Sequence, residues 1–290
     1  MSIFDDLQPL QSDLPLTEPE SSPYIVCNEQ SQQETLGSLA SQVNTADNTH
    51  SLHVGFSVWF NLDVIATTRP AYAAIFDIDP AIHAYIYPVL KSTILEANSR
   101  QEFVDKFLER ISMIECIAPY NAMLSSDFDR LTRAAYGFLA SEGNFNYLKM
   151  MFSEGRVFCG KADLTKQEHL SILSKWISRN ELKLNTLYLS NIPEWLFQMG
   201  KESWRETQKH ITTLLQPCTQ IIDAFYPTMK KDGSGPPQRM TLGAFPGYQL
   251  QPIRKRPREL FFHGQLADDP LSQKFDFSME NEGNSPKKPK

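Results

Sequence analysis

Apolar and polar positions fall in blocks along the chain, and the spacing changes from block to block. Val54, Phe56, Val58 and Phe60 recur at every second position, the period of a strand. Asp63 to Thr68 has room for only a short helix, and Arg69-Pro70 closes it, because proline disfavours a helical residue before it. Tyr72-Ala-Ala-Ile-Phe76 is an apolar run that stops at Asp77, followed by Ile78, Asp79 and Pro80. A buried run ending in an acid predicts a central parallel strand with its carboxylate at the sheet's ligand-binding edge. At that edge the acid can accept hydrogen bonds from a ribose diol.

Helical spacing takes over after Asp79. Pro80 sits at the favoured first-turn position of a helix over Ala81–Ala97. Further helices are predicted over Gln101–Cys116, over Asp127–Leu139, and from a Ser141 cap through Phe152. These are too many for one crossover, so a helical insertion is expected at about 98–153, between the second and third strands. Strand and helix then alternate: Arg156–Cys159, Lys166–Arg179, Leu184–Leu189, short helices over Glu194–Met199 and Trp204–Leu215, then Thr219–Phe225. Such alternation predicts an α/β fold with a mostly parallel sheet. Arg239–Phe245 and Glu259–Phe262 are the expected closing strands, one of them antiparallel.

The ends read differently. Met1 to His50 has no Lys or Arg but carries eight acids, with many Gln, Ser and Pro. A segment that buries little apolar surface does not offset its ordering entropy, so residues 1–48 are expected to be a disordered acidic tail. Met1 to Leu7 also has the look of a short docking peptide, but a solvated tail is the expectation. Residues 264–290 form a second polar tail, leaving one domain over 49–263.

Composition narrows the function. Hydrophobic content is 41% and net charge is −6, which argues against general nucleic-acid affinity. No apolar run approaches the roughly 18–20 residues that cross a bilayer, and no basic patch precedes an apolar core at the start. A cytoplasmic location is therefore expected. Cys27, Cys116, Cys159 and Cys218 stand far apart, as reduced cysteines rather than a disulfide frame or zinc site. Arg254-Lys255-Arg256-Pro257-Arg258 reads equally as a basic strand edge or, if the protein is delivered into a eukaryotic host cell, as an import signal.

Four motifs, in order, carry a resemblance. They are Gly55-Phe-Ser57 with Asn61, Ile65-Ala-Thr-Thr-Arg-Pro70 leading to Asp77, Ala140-Ser-Glu-Gly-Asn-Phe145, and Tyr188-Leu-Ser-Asn191. The span from His53 to Phe225 resembles a family of uncharacterised bacterial proteins with a Rossmann-like, class I methyltransferase-type fold. The resemblance implies S-adenosylmethionine (SAM) as cofactor: Gly55, Ser57 and Asn61 at its methionine end, Asp77 at the ribose, and Asp163 with Leu164 at the adenine. It also implies that Asn191 faces the methyl group, near Tyr188 and Glu194. The chain departs from the pattern where Ser57 replaces a second glycine and Val58, Trp59 and Phe60 crowd the loop, which predicts a weakened cradle.

Methyl transfer is a direct displacement that needs alignment more than catalytic side chains. The expected function is thus a methyltransferase-like protein acting on an unknown acceptor, active or inactive. The alternative is an interaction scaffold that keeps the fold, a secreted bacterial effector among the options. Each candidate residue also has a plain structural reading: Asp77 and Asp163 as caps, and Asn191 closing a turn. Asp77 with Asp79 offers too few oxygens for a hard-cation site, and no metal is expected.

Overall fold

The computed structural model describes residues 2–11, 29–42, 49–79, 81–114, 121–193, 196, 201–225 and 239–245. The described residues form a six-stranded sheet with helices on both faces. The strands are β1 (Ser51–Phe56), β2 (Tyr72–Asp77), β3 (Val157–Lys161), β4 (Lys183–Ser190), β5 (Gln220–Phe225) and β6 (Arg239–Ala244). Their order is β3-β2-β1-β4-β5-β6, parallel throughout except for β6, which runs antiparallel to β5. This is a Rossmann-like arrangement, with the order reversing between β1 and β4. In open α/β sheets ligands bind at the carboxyl edge beside such a reversal.

The helices are α1 (Gln32–Gln42), α2 (Trp59–Thr68), α3 (Tyr87–Glu96), α4 (Arg100–Ser112), α5 (Asn121–Thr132), α6 (Glu142–Ser153), α7 (Gln167–Arg179) and α8 (Lys201–Thr212). Ala73 and Ile75 face a layer made by α2 to α6, and Leu52, Val54, Phe56, Ala74 and Phe76 face α7 and α8. β1 is buried throughout and β2 along Ala73–Phe76, so these central strands are covered on both faces, and β2 accordingly reads as a continuous apolar run. Side chains of Ser99 and Ser141 cap α4 and α6, accepting from the amides of Glu102 and Asn144. A short π-helical turn, Ile82–Ile86, leads into α3. No helix among the described residues is long and apolar enough to cross a membrane.

Three expectations are corrected. First, β1 stops at Phe56, and Val58 and Phe60 lie at and inside the start of α2. Ser57 adopts φ +82°, which breaks the extended run that the period of two had carried through. Second, α5 ends at Thr132, and residues 133–140 form a turn. Gly137 holds it at φ +113°, packed so tightly on Asp63 that a Cβ would stand 3.0 Å from the Asp63 Cγ. Arg100 fastens both ends of the turn, donating to the carbonyls of Thr132 (3.0 Å) and Leu139 (2.6 Å).

Third, residues 1–48 are not simply a tail. Residues 2–11 lie on the α7 side of the sheet, with Phe4, Leu7 and Leu10 buried, and Leu36 and Leu39 of α1 pack against Phe60, Val64 and Tyr188. The segment is polar overall, but these five apolar side chains face the domain, and that is enough to dock it. The predicted strand over Glu259–Phe262, the basic run 254–258, the C-terminal tail and Pro80 lie outside the described residues.

Candidate functional site

The carboxyl edge of the sheet is assembled from the tips of β1, β2 and β4. Pairing sets their positions: Phe56 lies opposite Phe76, and Gly55 opposite Tyr188. Beyond these pairs come Ser57, Asp77 and Ser190. The Ser57 amide donates to the Phe76 carbonyl at 2.9 Å, so the β1–α2 turn is tied to the β2 tip. Ser57 itself is half-buried and keeps the positive φ of a glycine, with the cost a side chain incurs there.

Asp77 is half-buried at the β2 tip. Its Oδ1 accepts from the Asp79 amide at 2.9 Å, an Asx turn rather than the helix cap of its plain structural reading. Burial pushes its carboxyl up to about 6, against the pull of the Asp79 and Ile78 amides. Asp79 caps the next helical turn, accepting from the Ala81 amide at 2.8 Å. His83 approaches the Asp77 carbonyl at 2.8 Å through Nε2, and burial lowers its pKa. Ile78, between the two acids, is 58% exposed, an apolar side chain presented at the tip. On the inner side, the Tyr87 hydroxyl is buried with no hydrogen-bond partner, and burial raises its pKa. Neighbouring Cys159, on β3, is pushed up to about 12 by burial and is an inert thiol.

Other residues assigned to the site face the interior. Asn61 is fully buried on α2, and its amide group donates to the carbonyls of Ser57 (2.8 Å) and Phe56 (3.3 Å). Its Oδ1 therefore faces His53 Nε2 at 2.9 Å as acceptor, which makes Nε2 the protonated nitrogen of a neutral ring. Nδ1 then accepts from the Thr186 hydroxyl at 2.7 Å. Burial holds the His53 pKa down to about 4, so the ring is neutral at physiological pH. Gly55 is what gives this network room. A Cβ on it would overlap Asn61 Oδ1 and stand 2.6 Å from Asn61 Cγ and 2.9 Å from His53 Nε2. Gly55 and Asn61 thus organise the turn from behind; neither presents a group to a ligand.

Tyr188 is likewise a core residue, its ring 5.0 Å from that of Phe60, and its expected place beside a methyl group is corrected. Trp59 points into the helical layer, with its centroid 4.8–6.3 Å from those of Phe103, Phe107, Phe128 and Phe138. Asp163 accepts from the amide (2.9 Å) and hydroxyl (2.7 Å) of Thr165, shaping the β3–α7 turn, while Leu164 is buried. Asn191 is half-buried just past the β4 tip, and Glu194 lies outside the described residues.

One residue at this edge had no signal in the sequence. Glu29, only 5% exposed, reaches the β4 tip and accepts from the Ser190 hydroxyl at 2.8 Å. Ser190 is in the left-handed region at φ +51°. Next to it the Gln30 carbonyl accepts from the Met240 amide at 3.0 Å, so the segment before α1 adds a bridge to β6. Among the described residues no three His, Cys, Asp or Glu side chains are grouped to hold a metal. A surface hollow of about 570 Å³ lies on the first turn of α7, lined by Lys166, Gln167, Glu168 and Ser171.

Residues 124–260 match a family model described as a domain of unknown function (DUF7790). The match runs from α5 through β6 and leaves out β1, β2 and the Asp77 tip. No match was found among curated proteins.

Proposed function

We propose that the domain is methyltransferase-like and takes an adenosine cofactor of the SAM type at the carboxyl edge of the sheet. The observation that carries this reading is Asp77: a carboxylate at the β2 tip, tied through Phe76 and Ser57 to the turn beside the sheet's reversal point, with exposed Ile78 next to it. A ribose diol suits the carboxylate and a flat base suits the apolar side chain. On this reading SAM supplies an electrophilic methyl group, and the chain's own part is to hold and align. Ser57 borders the methionine end, and Ser190, Asn191 and Glu29 are the polar groups on the acceptor side. Glu29 adds a carboxylate on that side. The acceptor stays unassigned.

A second reading, a scaffold that binds a partner without chemistry, is favoured by a different observation. Glu29 and its neighbours sit over the β4 tip, where an acceptor would have to enter. Calorimetric titration with S-adenosylhomocysteine separates the two. Binding by the wild-type chain, weakened about ten- to a hundredfold in Asp77→Ala, supports the cofactor reading, since a hydrogen bond to a charged acceptor is worth roughly 1.5–3 kcal/mol. Asp79→Ala should lose about 0.5–2 kcal/mol of stability as a cap and little affinity. No binding at millimolar ligand, or equal behaviour of the two variants, overturns it in favour of the scaffold.

A further inference from the structure

Residues 2–11 lie on the domain the way a separate peptide lies in a receptor. Asp5–Leu10 form a single short 3-10 helix, in which residues three apart share a face. Phe4, Leu7 and Leu10 have that spacing, and all three are buried against the α7 side of the sheet. Phe4 sits among three rings, 5.7 Å from Phe158, 5.7 Å from Trp176 and 6.3 Å from Tyr72. The Trp176 indole donates to the Ile3 carbonyl at 2.8 Å, and Arg179 pairs with Asp6. The backbone passes so close to β3 that a Cβ on Gly160 would stand 2.6 Å from the Leu10 carbonyl oxygen.

These contacts amount to side-chain anchors, one backbone clamp and a charge pair. They are the elements by which a groove recognises a short amphipathic helix. The segment adds no strand to the sheet, and it is joined to α1 through residues 12–28. Pro9 stands inside its helix, which limits the turn to its present length.

We propose that the groove between α7 and the β2–β3 edge is a docking surface for a partner protein. That partner presents a turn of the pattern Phe-x-x-Leu-x-x-Leu with a carboxylate between its first two anchors, and residues 2–11 are the resident competitor. The recognition chemistry is read from the resident: an aromatic anchor for the Trp176–Phe158–Tyr72 cage, two leucines, and an acid for Arg179. A tethered occupant competes at an effective concentration set by its tether, so it masks the groove from ligands present below that concentration. A partner's apparent affinity is then reduced by the fraction of chains with the groove closed. A longer helix without the proline has more surface with which to compete.

The test uses the full chain. A labelled peptide of residues 1–11 is titrated by fluorescence anisotropy against the wild type and against Leu7→Asp, whose own segment no longer fits. A second peptide carries Phe-x-x-Leu-x-x-Leu and the acid in an otherwise unrelated sequence. Both peptides should bind Leu7→Asp at least tenfold more tightly than the wild type, and versions with aspartate at the Phe position should not bind. If Leu7→Asp does not fold, a protease site placed within 12–28 and cut after folding frees the segment to exchange with labelled peptide instead. No binding to the opened groove overturns the proposal. Binding of the native peptide but not of the unrelated one also overturns it, assigning the groove to a second copy of this chain.

Discussion

Gly55→Ala distinguishes a glycine kept for a neighbouring side chain from one kept for a ligand. The added methyl would stand 2.6 Å from Asn61 Cγ and 2.9 Å from His53 Nε2, closer than side-chain carbons approach such atoms. Asn61 must leave, and it takes with it the bond to His53 at 2.9 Å and those to Ser57 and Phe56 at 2.8 and 3.3 Å. Buried polar groups left without partners cost about 1–3 kcal/mol each, so a total of about 3–5 kcal/mol is expected. At 2–4 °C per kcal/mol for a domain of this size, Tm should fall by roughly 10 °C. The assay is a double-mutant cycle with Asn61→Ala, followed by urea and thermal unfolding. Asn61→Ala removes the larger obstacle and leaves only the His53 contact at 2.9 Å, so Gly55→Ala should cost at least about 1 kcal/mol less in that background than in the wild type. Equal losses in both backgrounds would refute the reasoning. So would a Gly55→Ala chain of unchanged stability that has lost only ligand affinity.

Three further outcomes are expected. Asp63, buried on α2 and accepting from the Phe138 amide at 3.0 Å, is pushed up to about 7 by burial, against 3.8 when unfolded. Its contribution to stability is complete below about pH 3.8 and is lost as pH rises through 7, roughly 4 kcal/mol in all. Asp63→Asn should therefore gain on the wild type between pH 4.5 and pH 8 in urea titrations, and parallel curves would contradict this. His53 acts with opposite sign, its contribution fading as pH falls from 6.5 towards 4, so it cannot mimic the result. Trp59→Gly should lose about 3–5 kcal/mol through the cavity left among four phenylalanines. It should gain no affinity for S-adenosylhomocysteine, whereas a gain would place Trp59 at the ligand after all. Deleting residues 1–11 should lower Tm and shift tryptophan emission to the red as Trp176 meets water; unchanged emission would mean that the segment does not cover it.

The elements that could be read from the sequence are those whose signal is local. β2 announced itself as an apolar run ending at Asp77, and Ser141 marked a helix start by the chemistry of its cap. The direction in which α2 faces was not legible, because every residue from Trp59 to Ala66 is buried and no polar stripe marks an outside. Asn61 is accordingly expected at a ligand, and Trp59 crowding the loop beside it, when both face the interior. Glu29 had no signal, since its partner Ser190 lies 161 residues away. Phe4, Leu7 and Leu10 did carry one, at a period of three. A search tuned to 3.6 and to 2 passes over it.

The stretch that begins with residue 2 grips the domain at points supplied much later in the chain. Trp176 meets Ile3 across 173 residues, and Arg239 reaches the Ser31 hydroxyl across 208. At a synthesis rate of about 5–20 residues per second, these partners emerge roughly 10–40 seconds after the segments that need them. During that interval Phe4, Leu7 and Leu10 are made but have nowhere to go. Anything in the cell that favours a short acidic helix with apolar anchors meets this protein first in that state. The order of manufacture thus leaves these residues exposed until their partners follow, and the finished fold then covers them.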